Sequence, residues 1–313
     1  MLTRRNWLKA IGAGALGARA FGAAESDLRA KARKNLKLAI FTGVYSRLPL
    51  EEAARRIKAD GFVGVVLQPE FADVRFNPLA PDGDAAKKIT DAFERADVKI
   101  VGLYGYYNVV DPDVEKRKTG EARMRFLIEN WKRLGGRIVA TETGTLNPKS
   151  EWLESPENDT EKGYLECRAA LEKLAKAAEE SGAIVAIEPY WRNIIGSIDR
   201  TERLFREVQS PALKLVMDPC NYFRKEDLPR LDAILEEMFR RVGMETVIAH
   251  AKDVKAAPDG TDLPAAGKGV LNYPLYLRLL AQWDREIYLA VEHLTLDDVP
   301  RARDYVLSQF DKI

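Results

Sequence analysis

The sequence predicts a single (β/α)8 barrel, a TIM barrel, preceded by a short segment for export. From Leu36 onward, short apolar strands alternate eight times with segments of helical periodicity. The strands are continuous runs of Val, Ile, Leu and Ala, as expected for a parallel sheet that is buried on both faces. Eight such units within about 275 residues, with a helix last, fit a closed barrel better than an open, doubly wound sheet. No Gly-x-Gly-x-x-Gly follows the first strand, which argues against a dinucleotide-binding fold.

The elements follow one another with short connections. The predicted strands cover residues 36–42, 63–67, 100–104, 137–141, 184–187, 213–217, 246–249 and 286–291. The helices behind them cover residues 48–60, 84–96, 112–134, 160–181, 201–208, 227–242, 273–283 and 297–310. Gly61, Gly182 and Gly243 follow three of these helices, which is typical of helix ends. The periodicity therefore predicts one barrel domain over residues 36–313.

The first 35 residues have a different composition and are predicted to be a signal peptide and linker. Residues 3–9 (TRRNWLK) precede an Ala- and Gly-rich stretch, and together they resemble a twin-arginine translocation signal with cleavage near Ala24. A short amphipathic helix is the alternative. Arg19 interrupts an apolar run that is shorter than the roughly 20 residues of a membrane span, so we expect no stable membrane insertion. We expect a periplasmic or otherwise exported protein, with the Tat translocase as its partner during export.

The overall composition limits the kinds of molecule that this protein is expected to bind. The chain has 46% apolar and 31% charged residues and a formal net charge of +1, which gives no reason to expect a nucleic acid as partner. The two cysteines, Cys167 and Cys220, form no CxxC pattern and no disulfide framework. The composition indicates a globular domain that acts on a small molecule, and it leaves a homo-oligomer open.

Charged or imidazole side chains end the apolar runs of strands five to eight. These side chains are Glu188, Asp218, His250 and Glu292. The carboxyl ends of barrel strands carry the reactive residues, and carboxylates that converge there repel one another unless a cation compensates them. A single carboxylate at a strand end is usually solvated or paired, but four such ends in succession favour a divalent metal site. Mostly oxygen ligands suit Mn²⁺ best, with Mg²⁺, Co²⁺ or Zn²⁺ as alternatives.

The two histidines of the chain both follow apolar strands. His250 comes directly after Ile248 and Ala249, so it is predicted to be a metal ligand. His293 comes one residue after Glu292, and strand alternation turns it away from the direction of the ligands. We therefore expect His293 to lie beside the site and to contact the substrate.

Further polar and aromatic residues follow the strands and are candidates for substrate binding. Lys252 could stabilise an oxyanion or pair with Asp253 on the rim. Aromatic residues at strand ends, such as Tyr104, Tyr106 and Tyr107, usually pack in the core, but a sugar site also uses flat apolar faces between polar groups. The predicted substrate-binding residues are Tyr104, Glu142, Trp191, Arg192, Asn221, Lys252 and His293.

The strand-end motifs resemble those of the sugar phosphate isomerase/epimerase superfamily, the xylose-isomerase-like barrels. The similar residues are Glu188-Pro189, Asp218-Pro219-x-Asn221, His250-x-Lys252-Asp253, Glu292-His293 and residues 267–273. The resemblance covers residues 36–313 and implies that Glu188, Asp218, His250 and Glu292 hold the metal. Ketose 3-epimerases have a substrate-binding histidine where this chain has Asn221 and an arginine where it has Ala256. Both differences count against a free ketose as substrate.

These observations predict a metal-dependent sugar isomerase or epimerase. It would remove a proton next to a carbonyl through an enediolate, with Glu188 and Glu292 as base and acid. Because glycosides occur outside the cytoplasm, a lyase or hydratase that acts on 3-keto-glycosides by elimination is an alternative. A non-catalytic sugar-binding barrel is another. A phosphodiesterase similar to the family's AP endonuclease relatives would need more histidines and a basic groove.

Overall fold

The structure is a computed structural model that describes residues 26–313. The proposed signal over residues 1–24 lies outside this part of the chain. Within residues 26–313, no helix is both long and apolar enough to cross a membrane.

Eight parallel strands close a barrel, which confirms the predicted fold class. The barrel strands are β1 (Leu36–Phe41), β2 (Gly64–Leu67), β3 (Lys99–Tyr104), β4 (Ile138–Glu142), β5 (Ile184–Glu188), β6 (Leu213–Met217), β7 (Thr246–Ala251) and β10 (Ile287–Val291). Neighbouring strands follow the order β1-β10-β7-β6-β5-β4-β3-β2, and β1 pairs with β2 to close the ring. An antiparallel hairpin, β8 (Lys255–Ala257) and β9 (Gly260–Asp262), lies outside the barrel.

Helices connect the strands. They are α1 (residues 26–35), α2 (Leu50–Ala59), α3 (Gly83–Arg95), α4 (Val114–Glu129), α5 (Trp131–Leu134), α6 (Glu161–Ser181), α7 (Ile198–Val208), α8 (Leu231–Val242), α9 (Tyr273–Ala281) and α10 (Val299–Gln309). The predicted helix over residues 112–134 is interrupted at Asn130, whose backbone leaves the helical region, so it forms α4 and α5. Several helices begin after a capping residue. At the start of α4, for example, the Asp113 side chain accepts a hydrogen bond from the backbone N–H of Glu115.

Helix α1 differs from the expected linker. Ala32 is fully buried, and the Arg29 guanidinium donates to the carbonyl oxygen of Ile313 at 2.8 Å. Asn35 Nδ2 donates to Asp284 Oδ1 at 3.0 Å, near the start of β10. The folded domain therefore begins before Leu36, because α1 packs against the carboxyl-terminal part of the chain.

The interior of the barrel explains where the strand-end side chains point. Each strand contributes one apolar side chain to two small clusters that are separate from the main core; these are Ala39, Val66, Val101, Ala140, Ala186, Val216, Ile248 and Ala290. Side chains two positions apart on a strand face the same side. Glu142, Glu188, Asp218, His250 and Glu292 each lie two residues after one of these interior positions. The alternation therefore directs all five toward the barrel axis at one end.

Candidate functional site

Three carboxylates and one imidazole meet at the carboxyl end of the barrel. Glu188, Asp218, His250 and Glu292 each offer one potential ligand atom, and these atoms lie within 4.8 Å of one another. His250 Nδ1 is 3.3 Å from one oxygen of each carboxylate. Ligand atoms that surround an ion at about 2.1 Å lie roughly 3.0–3.4 Å apart, so these spacings suit a shared cation. The cluster could hold a divalent metal ion.

Neighbouring side chains fix the strand ends that carry this cluster. The Tyr276 hydroxyl lies 3.0 Å from the carbonyl oxygens of Met217 and His250, so it joins the ends of β6 and β7. Asp218 accepts the backbone N–H of Cys220 at 3.1 Å. The Phe41 ring meets the His250 ring edge to face, with centroids 5.2 Å apart. These contacts orient the imidazole toward the carboxylates.

Lys252 is buried inside the same cluster. Its Nζ lies 2.6 Å from Asp218 Oδ2, 2.8 Å from Glu292 Oε1 and 3.8 Å from Glu188 Oε1. The alternative pairing with Asp253 on the rim is not formed. The Asp253 carboxylate instead accepts the backbone N–H groups of three residues in the following loop, Val254, Gly267 and Leu271.

Opposing effects set the charges of the cluster. Burial raises the pKa of Glu188, but the cationic His250 and Lys252 outweigh it and lower that pKa to about 2. Burial likewise opposes ionisation of Glu292, and the same two cations hold its pKa well below the usual range. Burial dominates at Asp218, whose pKa is raised. The carboxylates in turn raise the pKa of Lys252 well above its usual range, so the ammonium stays charged despite burial.

Two donors hold the Glu188 carboxylate in place. Asn221 Nδ2 donates to Oε1 at 2.7 Å, and the Tyr106 hydroxyl makes a short hydrogen bond to Oε2. Asn221 is one of the predicted substrate-binding residues, and the structure places it against a predicted ligand. The sequence marks Tyr106 only as one of three aromatic residues at the end of the third strand. Its position two residues after Tyr104 is the signal that marks it as facing the same side of the strand.

A cavity of about 570 Å³ adjoins the cluster. Five of the seven predicted substrate-binding residues line it, namely Tyr104, Glu142, Asn221, Lys252 and His293. Glu142 is 8% exposed, and its carboxyl group accepts no hydrogen bond from the described residues. Burial and the nearby Glu188 raise the pKa of Glu142 to about 8. The rings of Tyr104 and Tyr106 line the same cavity, with their centroids 4.6 Å apart.

Trp191 and Arg192 do not line this cavity. The guanidinium groups of Arg192 and Arg224 lie 4.5 and 4.6 Å from the centroid of the Trp191 ring. Its indole N–H donates to Thr261 Oγ1 in the hairpin at 3.2 Å. These contacts favour a structural role for Trp191 and Arg192, which support the hairpin. That either residue contacts a substrate stays a prediction.

His293 lines the cavity beside Leu263, the residue that follows the hairpin. His293 has a positive φ of 57°, and its Nδ1 lies 2.7 Å from the carbonyl oxygen of Leu263, the residue after β9. It is exposed and does not belong to the metal-ligand cluster. The hairpin was not predicted, although the Pro258-Asp259-Gly260 stretch carries a turn signal.

Comparisons with known proteins agree with this architecture. A model of the xylose isomerase-like TIM barrel family matches residues 48–306. Among solved structures, a xylose isomerase-like TIM barrel protein from Mycobacterium smegmatis in complex with magnesium is 19% identical, with a TM-score of 0.65 over 90% of this chain and 98% of that one. No curated protein matches the sequence.

Two further solved structures belong to enzymes. The 3-keto-D-glucoside 4-epimerase from E. coli is 16% identical, with a TM-score of 0.60 over 89% of this chain and 99% of that one. A probable 3-DHS dehydratase from Bacillus anthracis is 13% identical, with a TM-score of 0.66 over 87% of this chain and 97% of that one. At these identities the likeness shows a shared fold.

Proposed function

Since the chain belongs to the xylose isomerase-like TIM barrel family, we propose that it is a divalent-metal-dependent enzyme that removes a proton next to a carbonyl of a sugar derivative. The observation that carries this proposal is the buried set of Glu188, Asp218, His250 and Glu292 at the floor of a cavity. A divalent cation held there would polarise the carbonyl and stabilise the developing enediolate charge. Mn²⁺ is the proposed ion, because the donor set is mostly oxygen.

Glu188 and Glu292 are the proposed proton carriers. Glu188 is the last residue of β5 and Glu292 follows β10, and β6 and β7 separate these two strands in the closed sheet. Both side chains line the cavity. One would remove the proton and the other would return it. Asn221 and Tyr106 donate hydrogen bonds to the Glu188 carboxylate, which fix its orientation and keep it ionised. Return to the same carbon from the opposite face gives epimerisation, and return to the neighbouring carbon gives isomerisation.

Elimination from a 3-keto-glycoside is a second candidate, and the shape of the cavity favours it. Its volume of about 570 Å³ lies within the roughly 300–1,000 Å³ of pockets for drug-sized ligands, and a single free sugar would leave much of it unfilled. Val44, Trp152, Leu263 and Leu294 add apolar surface to the lining. Such a surface suits the leaving group of a glycoside better than it suits a sugar hydroxyl.

In that reaction the carbon–oxygen bond β to the carbonyl breaks as the proton leaves. The electron pair goes to the departing oxygen, which then needs a proton. Glu142 is a buried carboxyl group that lines the cavity and has no hydrogen-bond partner among the described residues. It is therefore the proposed contact for a substrate hydroxyl or for the departing oxygen.

Proton exchange distinguishes these reactions. Purified protein with Mn²⁺ is incubated in D₂O with ketoses and, separately, with 3-keto-glucosides, and the products are followed by NMR. Deuterium next to the carbonyl with an epimer or isomer supports the first reaction. Loss of both the aglycone and the proton next to the carbonyl, with a new carbon–carbon double bond and no deuterium at that carbon, supports elimination. Binding without exchange or product would contradict an enzyme and favour the sugar-binding barrel. EDTA-treated protein is the control and is expected to catalyse neither reaction.

A further inference from the structure

The amino group of Lys252 lies among the predicted metal ligands. The Lys252 side chain is 3% exposed. Its Nζ lies 2.6 Å from Asp218 Oδ2 and 2.8 Å from Glu292 Oε1, which are shorter than the usual distances of hydrogen bonds between neutral groups. The backbone at this position is fixed as well, because the Tyr273 hydroxyl donates to the Lys252 carbonyl oxygen at 2.7 Å. The ammonium therefore has little freedom to leave the cluster.

The position of Lys252 changes the charge balance of the cluster. Three carboxylates buried together repel one another unless cations compensate them. Lys252 compensates one of the three charges and leaves two, which a divalent cation neutralises once His250 has given up its proton to become a neutral ligand. Without Lys252, a divalent cation would leave one buried negative charge uncompensated.

We propose that Lys252 is a resident cation of the metal centre, which holds the carboxylates together before the metal binds and matches the loaded site to a divalent ion. The same ammonium also weakens metal binding, because it repels the incoming cation from within 4 Å of the ligand oxygens. Lys252 thus stabilises the metal-free barrel and lowers its affinity for the metal. This inference rests on the proposed function, since it assumes that the cluster binds a metal.

The test compares Lys252→Met with wild type after EDTA treatment and removal of the chelator. Methionine is unbranched and similar in length, so it removes the charge with little change of volume. Lys214→Met is the matched control, because Lys214 also lies on a barrel strand in an ion pair, with Glu245, but away from the cluster. Thermal unfolding and calorimetric titration with Mn²⁺ are measured on all three proteins.

We expect Lys252→Met to lower the unfolding temperature of the metal-free protein by about 5–15 °C, since it leaves buried carboxylates without a partner. We expect its affinity for Mn²⁺ to rise at least tenfold. Tb³⁺ should gain more affinity than Mn²⁺, because the removed charge repels a trivalent ion more strongly. Lys214→Met should change neither affinity.

The affinity of Lys252→Met for Mn²⁺ decides the outcome. Equal or weaker Mn²⁺ binding by Lys252→Met would overturn the inference, even if the unfolding temperature falls, since Lys252 would then be a structural ion-pair partner only. If Lys252→Met does not fold, Lys252→Gln, which keeps hydrogen-bond donors without the charge, is held to the same expectations. If wild type itself binds no Mn²⁺, the proposed function fails together with the inference, whereas binding by wild type with no gain in the variant overturns the inference alone.

Discussion

Replacing Glu188 with glutamine removes one negative charge and one proton acceptor while the side chain keeps its size. The substitution occurs where Oε1 accepts the Asn221 amide at 2.7 Å and where His250 Nδ1 lies 3.3 Å away. A positioned general base contributes about 10²- to 10⁴-fold to the rate, which corresponds to roughly 2.7–5.4 kcal/mol of transition-state stabilisation. We expect kcat to fall by at least a hundredfold, and Glu292→Gln to have an effect of the same order.

The fold should survive this change. Removal of one carboxylate from a cluster of three relieves repulsion between like charges, and the barrel core lies beneath the site in separate apolar clusters. The far-ultraviolet circular dichroism of both variants should therefore match that of wild type. Glu245→Gln is the matched control, because Glu245 is a partly buried carboxylate that pairs with Lys214 away from the cluster.

Initial rates at saturating Mn²⁺ separate lost catalysis from weaker metal binding. Deuterium exchange next to the carbonyl, measured on the same samples, reports proton abstraction directly. If Glu188→Gln and Glu292→Gln both keep more than about a tenth of the wild-type rate, each has lost less than ~1.4 kcal/mol of transition-state stabilisation. Neither carboxylate would then be the proton carrier, and the reasoning from the strand ends would be refuted.

Three further predictions concern the metal, acid stability and export. His250→Ala should lose bound metal in elemental analysis, whereas His293→Ala should keep it, because only His250 lies in the ligand cluster; equal loss in both would contradict this assignment. Glu207 has a pKa lowered to about 2 by its hydrogen bonds to Arg203 and Arg168, so it contributes stability above the unfolded value of about 4.3 that is lost as the pH falls toward 2. Urea unfolding at pH 7 and pH 2.5 should show a smaller acid loss for Glu207→Gln than for wild type, and an equal loss would refute the assignment. Replacing Arg4-Arg5 with Lys-Lys should retain the protein in the cytoplasm during cell fractionation, and efficient export of that variant would mean that residues 1–24 are not a twin-arginine signal.

The sequence predicts the strands best where its signal is repetitive. Continuous apolar runs identify all eight barrel strands, and the interruption of four of them by ionisable side chains predicts the cluster of Glu188, Asp218, His250 and Glu292 that the structure brings together. That inference works because parallel strands in a barrel end at one face. It needs no information about loops.

The remaining features depend on contacts between distant parts of the chain. The role of Trp191 under the hairpin depends on Arg224 and Thr261, which its local sequence does not reveal. The burial of Lys252 is likewise a tertiary effect, since His-x-Lys-Asp alone is equally compatible with a lysine on the rim. Helix α1 is not predicted, because it directly follows the Ala- and Gly-rich segment and resembles a linker in sequence. Its packing becomes visible only in the structure, where Ala32 is buried in the core.

The central claim is that one divalent ion binds among the four strand-end side chains. Anomalous diffraction from crystals soaked in Mn²⁺, with data on both sides of the manganese absorption edge, locates the ion independently of any assay. We predict one peak per chain, about 2.2 Å from one atom each of Glu188, Asp218, His250 and Glu292. A peak elsewhere on the chain, or a structure of the soaked protein with no manganese between these side chains, would contradict the claim.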